Sequence, residues 1–169
     1  MTYKGHVVGG FLVATGGALV VSAMPTADVL QLVSTFGVVF FFSLFPDLDT
    51  ASRPQRWFYK FIFVFISYLA WIESYKTATL IALLAILPVL DHHRGWTHNR
   101  LSPVLSLAIA IAGLAFWKMP EDSGFSGWYN AMLELPGWIP MQLAGAALIG
   151  WYTHLILDGQ FRFFPKDEQ

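Results

Sequence analysis

Six long apolar runs alternate with short polar connections along the chain. They extend over Val7–Met24, Val29–Phe45, Trp57–Ile72, Thr77–Leu90, Leu101–Trp117 and Trp138–Leu157. A helix crossing a bilayer at right angles needs about 20 predominantly apolar residues, within a range of about 17–25. The first, second, fifth and sixth runs meet that length. The third and fourth are marginal and fit either two short crossings or one re-entrant hairpin that enters and leaves on the same face. The pattern predicts an all-α fold, a polytopic membrane bundle of about six apolar helices forming a single domain over residues 1–169. The one long connection, Lys118–Gly137, contains Pro, Gly, Ser and the acids Glu121, Asp122 and Glu134, and reads as an external loop with room for a short surface helix.

Composition agrees with the pattern. Of the 169 residues 56% are hydrophobic and 12% charged, where soluble domains carry about 25% charged residues. A net charge of −1 offers no basic patch able to neutralise several phosphates, so a nucleic-acid partner is not expected. The chain has no cysteine, which excludes disulfides and thiolate metal sites and leaves histidine, carboxylate and water as metal ligands. The first run ends near Ser22-Ala23-Met24 without a small-x-small cleavage site, and its leader carries only Lys4. It reads as a retained membrane helix rather than a signal peptide.

Charge also orients the bundle. If all six runs cross, residues 1–6, 46–56, 91–100 and 158–169 share one side, and a re-entrant third and fourth pair leaves this parity unchanged. That side, counting Lys60 at its helix edge, holds Lys4, Arg53, Arg56, Lys60, Arg94, Arg100, Arg162 and Lys166, against Lys76 and Lys118 on the other. The excess places the first side, with both termini, in the cytoplasm. Most of the tryptophans fall near predicted helix ends, where interfacial anchors belong.

The chemistry gathers on that same side. His6, His92, His93, His98 and His154 all lie there or within a helical turn of it, together with Asp47, Asp49, Asp91 and Asp158. His154 and Asp158 are spaced i, i+4 and share a helix face; alone, the pair reads equally as a helix end with a hydrogen-bonding histidine. Asp47 and Asp49 follow Pro46 and suit either a solvated turn or a pair of oxygen ligands for divalent ions. The densest cluster runs from Asp91 to Arg100 and includes three histidines. On a straight helix His93 and His98 would diverge, so their convergence needs the bend that Gly95 permits. His6 alone would be an ordinary interfacial residue.

These pieces, in this order, resemble the LexA-regulated, membrane-bound metal-dependent hydrolase family of the YdjM type. The resemblance is carried by Lys4-Gly5-His6-x-x-Gly9, Phe45-Pro46-Asp47-Leu48-Asp49, His93-Arg94-Gly95-Trp96-Thr97-His98 and His154-x-x-x-Asp158, and it spans nearly the whole chain. It implies a multi-pass protein of the bacterial inner membrane with a metal-dependent hydrolase site, whose expected ligands are His6, Asp47, Asp49, His93, His98, His154 and Asp158. The set is similar to that of zinc-dependent phosphoesterases of the phospholipase C kind. His92 lies outside the block, and Asn99 stands where a serine is common.

The expected cofactor is one to three divalent ions, Zn²⁺ first and Mn²⁺ second. Seven ligands exceed the needs of one tetrahedral ion, and a multinuclear site suits hydrolysis of a phosphoester or a lipid-linked ester. Arg94 is placed to stabilise developing negative charge, and Asp49 is the candidate general base. At a membrane surface the partner is membrane lipid, with Arg53, Arg56 and Arg100 attracting anionic headgroups. The rival reading is a metal-ion binding or sensing protein without catalysis. Transport is disfavoured, because the centres of the runs are almost free of ionisable residues.

Overall fold

The apolar runs become helices because a helix satisfies its own backbone hydrogen bonds, which hydrocarbon cannot do. The computed structural model describes residues 3–49, 53–89, 96–120, 122–134 and 141–159, and these are helical with no strand among them. The order is α1 (Tyr3–Ser22), α2 (Val29–Leu44), α3 (Arg53–Trp71), α4 (Tyr75–Ile86), α5 (Ser102–Lys118), α6 (Gly124–Glu134) and α7 (Met141–Leu157). Short 3₁₀ turns occupy Phe45–Asp49, Leu87–Val89 and Trp96–His98. Lys4–Ser22 and Val29–Leu48 are long and apolar enough to cross a membrane. At 17 residues each, α5 and α7 lie near the lower limit for a crossing, about 17 residues.

Local signals explain several boundaries. α1 begins before its apolar run, so His6 sits inside its first turns instead of ahead of the helix. α2 opens on a capping box: the Asp28 carboxylate accepts the Gln31 N–H at 2.7 Å, and the Gln31 side chain accepts the Asp28 N–H at 3.2 Å. Pro46 cannot donate a backbone hydrogen bond, and the chain tightens there into the 3₁₀ turn Phe45–Asp49.

The third and fourth runs form a helical hairpin. Glu73 takes a left-handed φ of 59°, and the Ser74 N–H reaches back to the Leu69 carbonyl at 2.8 Å to close α3. The Tyr59 hydroxyl then donates to the Ala85 carbonyl across the pair at 2.7 Å. α4 has 12 residues, a rise of about 18 Å, and does not by itself span a hydrocarbon core of about 30 Å. Its terminal 3₁₀ turn returns against the turn after α2, so the hairpin leaves and rejoins the same end of the bundle.

α7 packs beside α1 and α2. Small residues permit this approach. A Cβ at Gly150 would run into the Val39 carbonyl oxygen, and one at Gly10 into the Ser43 hydroxyl. Ala14, Val39 and Ala146 fill the middle of this three-helix unit. The long connection does carry a short helix, α6, which folds against α5 through Ala115 and Ala131 and through a Trp128 indole bond to the Ala112 carbonyl at 3.1 Å.

Outward-facing side chains are large and apolar: Leu12, Leu19, Leu30, Phe61, Phe63 and Phe125 are all exposed. Such a surface is at home in lipid and not in water. Trp57 and Trp71 stand exposed toward the ends of α3, as anchors would. Trp151 departs from that pattern, because it is 1% exposed and packs with Phe45, Leu48 and Leu155 in the core.

Candidate metal centre

Three helices bring donors to one end by the same device. Gly10 of α1 meets Ser43 of α2, and one turn toward the helix start, on the same face, stands His6. Gly150 of α7 meets Val39 and Ser43, and one turn onward stands His154. Asp47 lies one turn beyond Ser43. Each helix thus offers a small residue that allows close approach, then a donor at the mouth. The fourth contribution, His98, comes from the 3₁₀ turn ahead of α5.

His98 is fixed from behind. The Trp151 indole donates to the Thr97 carbonyl at 3.0 Å, and the Tyr152 hydroxyl donates to the Arg100 carbonyl at 3.1 Å, which ties this turn to α7. The Thr97 hydroxyl lies 3.0 Å from His98 Nδ1, leaving Nε2 to face inward. Asn99 serves the helix start, its side-chain oxygen accepting the Leu101 N–H at 2.9 Å.

The inward geometry is tight. His98 Nε2 and His154 Nε2 are 3.3 Å apart. Asp158 Oδ2 is 3.4 Å from the first and 3.6 Å from the second. Asp158 Oδ1 lies 2.9 Å from His6 Nε2, and Asp47 Oδ1 lies 3.7 Å from His154 Nε2. The His6 and His154 rings stack with centroids 4.2 Å apart. His6, His98 and His154 are all buried. Burial pushes the Asp158 carboxyl up, but hydrogen bonding and the electrostatic field of its neighbours outweigh it and hold the group below its ordinary range.

Hydrogen bonding selects the tautomer of His154. Its Nδ1 lies 2.9 Å from the Ser43 carbonyl oxygen, which can only accept, so Nδ1 carries the proton and a neutral ring turns the Nε2 lone pair to the site. Metal-binding histidines are oriented in this way. Because Nε2 is then the only ligand atom His154 offers, one ion can use it at a time.

Among the described residues, two overlapping groups could hold a divalent ion: His98, His154 and Asp158, and separately His6, Asp47 and His154. The first group passes a test of fit. Bonds of about 2.0–2.1 Å in a tetrahedral site place neighbouring donors about 3.3–3.4 Å apart, close to the 3.3, 3.4 and 3.6 Å edges of this triangle. His6 Nδ1 is buried without a hydrogen-bond partner, a condition that polar groups in folded proteins rarely tolerate without a ligand or water.

Of the seven expected ligands, the structure brings five together: His6, Asp47, His98, His154 and Asp158. Asp49 closes the 3₁₀ turn after α2, but its side chain is outside the described residues. His93 and Arg94 are outside them entirely, as are His92, Asp91 and Gly95. Sequence reasoning missed the supporting groups. Thr97 stood within the quoted block and was legible there. The Ser43 carbonyl has no side-chain signature, and Trp151 was legible only as an aromatic near a helix end.

The comparisons with known proteins agree with the membrane bundle. The family model described as YdjM inner membrane protein matches residues 1–162. No curated protein and no solved structure matches.

Proposed function

We propose that this chain, which belongs to the YdjM inner membrane protein family, is a metal-dependent hydrolase acting on a phosphoester or a similar ester at the membrane surface. The observation that carries the reading is the triangle of His98 Nε2, His154 Nε2 and Asp158 Oδ2, with edges of 3.3–3.6 Å. These three residues would hold the first ion, Zn²⁺ first for a mixed imidazole and carboxylate set, with Mn²⁺ second. Asp47 and His6, with Asp49 and His93, are the residues available to a further ion. A divalent ion held there supplies Lewis acidity and lowers the pKa of water.

The chain's own groups would do the rest. The Ser43 carbonyl keeps His154 in the tautomer that presents Nε2. Asp49 would take a proton from the attacking water, and Arg94 would stabilise the charge that develops on the ester oxygens. In the net reaction, water adds across the ester bond: its oxygen joins the phosphorus or acyl carbon, the bond to the leaving oxygen breaks, and that oxygen takes up a proton. The basic residues flanking the site favour a cytoplasmic orientation with both termini inside.

The test uses detergent-purified protein, elemental analysis, and a panel of bis(4-nitrophenyl) phosphate and phospholipids with and without chelator. The reading expects bound metal and chelator-sensitive turnover that His154→Ala abolishes. Metal without turnover on any substrate would favour the binding or sensing alternative instead, and a metal-free protein would remove both.

A further inference from the structure

Just inside the site, a cavity of about 240 Å³ opens between α2, α3, α4, α5 and α7. One water needs only about 10–15 Å³ of such space, and small-molecule sites begin at about 300 Å³. Its lining is apolar, with Phe45, Phe58, Leu107, Ala110, Leu148 and Trp151 among the walls. Close-packed interiors do not leave voids of this size, and a void with so few polar groups in its walls gives water little to bond.

Three observations say what fills it. First, the cavity reaches the outside of the bundle: Phe41 lines it and is 41% exposed on the lipid-facing surface. Second, it lies one residue layer from the candidate metal centre. Trp151, which forms its wall, is the side chain that holds the Thr97 carbonyl next to His98, and Phe45 precedes Pro46 and Asp47. Third, its lining contains a polar group without a partner. Ser106 Oγ is buried, with its residue 6% exposed, and makes no hydrogen bond. A helical serine can usually satisfy itself on the preceding turn, and this hydroxyl at the cavity wall does not.

We propose that the cavity holds the aliphatic chain of a membrane lipid, entering sideways past Phe41, with Ser106 donating to a carbonyl or hydroxyl oxygen on that lipid. The substrate of the metal centre is then a lipid-linked ester whose polar end lies at the site. This last step rests on the hydrolase reading, whereas occupancy of the cavity does not.

The experiment places the protein in nanodiscs of phosphatidylethanolamine and phosphatidylglycerol doped with a phosphatidylglycerol whose acyl chain carries a diazirine. Photolysis and peptide mapping follow, with metal content measured on the same samples. Labelling is expected on the walls, at Leu107, Ala110 or Leu148, besides the lipid-facing Phe61 and Phe63. Filling the space with Ala110→Phe should lower wall labelling about ten-fold and leave Phe61 labelling and metal content unchanged. Leu107→Trp is the second filling variant should the first fail to fold, and Ser106→Ala should lower wall labelling to a smaller degree. Labels confined to outward-facing residues, or wall labels that survive both filling variants, would overturn the proposal. A metal-free protein with wall labelling would end the hydrolase reading and keep the occupant. Turnover of bis(4-nitrophenyl) phosphate with outward-only labels would do the reverse.

Discussion

The two ends of the bundle handle their polar side chains differently. At the end where α2 and α7 begin and α5 stops, polar groups hold helices in place. Asp28 and Gln31 cap α2, the Gln142 amide donates to the Thr35 hydroxyl, the Lys76 ammonium donates to the Met119 carbonyl at 2.8 Å, and the Trp117 indole donates to Thr77 at 2.9 Å. Each pairs a donor with an acceptor and terminates or joins an element. At the opposite end His6, Asp47, His98, His154 and Asp158 converge as ligand atoms. There lone pairs and carboxylate oxygens face one another, and a buried imidazole nitrogen has no partner. Architecture accounts for the polarity of the first end, and a bound cation is what would account for the second.

The sharpest way to break that contrast is to remove one donor from each end. His154→Ala should reduce bound metal to less than about a tenth of the wild-type content, because it removes the ligand common to both groups. Gln142→Ala at the far end should leave metal content unchanged. Equal losses, read by elemental analysis, would mean that the two ends do not differ in kind.

Next in size is the support behind His98. Thr97→Val removes the hydroxyl beside Nδ1 and should weaken metal affinity by about 10–100-fold, as loss of groups orienting ligands does. Competition with a chromogenic chelator measures it. An affinity within two-fold of wild type, by about 0.4 kcal/mol, would show that Thr97 does not orient the ring.

Acid should also separate the ends. Asp158 is held below the ordinary carboxylate range, so its stabilising contribution is present above the unfolded-state pKa and fades only as pH falls through its lower folded value. Imidazole binds a metal only through an unprotonated nitrogen, so acid should release the ion by protonating the histidine ligands, with helix content unchanged. Retention of metal at about pH 4 would contradict imidazole ligation.

Smallest are two packing effects. Gly150→Ala forces α7 away from the Val39 carbonyl and should destabilise the bundle by about 1–3 kcal/mol, with weaker metal binding following from displacement of His154. Asp28→Ala should cost about 1 kcal/mol as a lost cap and leave metal binding untouched. Thermal unfolding in detergent, with metal titration alongside, checks both.

Much of this was legible in the sequence. The apolar runs give α1 through α5 and α7 to within a few residues, and the Pro-Gly-Ser-rich connection leaves room for α6. The His154 and Asp158 pair also stands out, since i, i+4 spacing fixes a shared face. What could not be read was which helices touch. α1, α5 and α7 are apolar on nearly every side, so no stripe identifies the buried face, and lipid contact leaves the same signature as core contact. Gly10 and Gly150 are the actual contact points, yet nothing in their neighbourhoods sets them apart from Gly16 or Gly145, which a Cβ would not disturb. Trp151 is hard to place from sequence for the same reason: an aromatic near a helix end serves equally as an anchor or as a wedge in the core.

The central claim is that His98, His154 and Asp158 hold a divalent ion at one end of this membrane bundle. X-ray absorption at the metal edge, on protein purified from zinc- and manganese-supplemented cells, tests it most directly. The account predicts a mixed nitrogen and oxygen shell at about 2.0–2.2 Å with the outer-shell scattering of imidazole, reduced in His98→Ala. A metal-free protein, or a shell of oxygens alone with no imidazole signature, would contradict it.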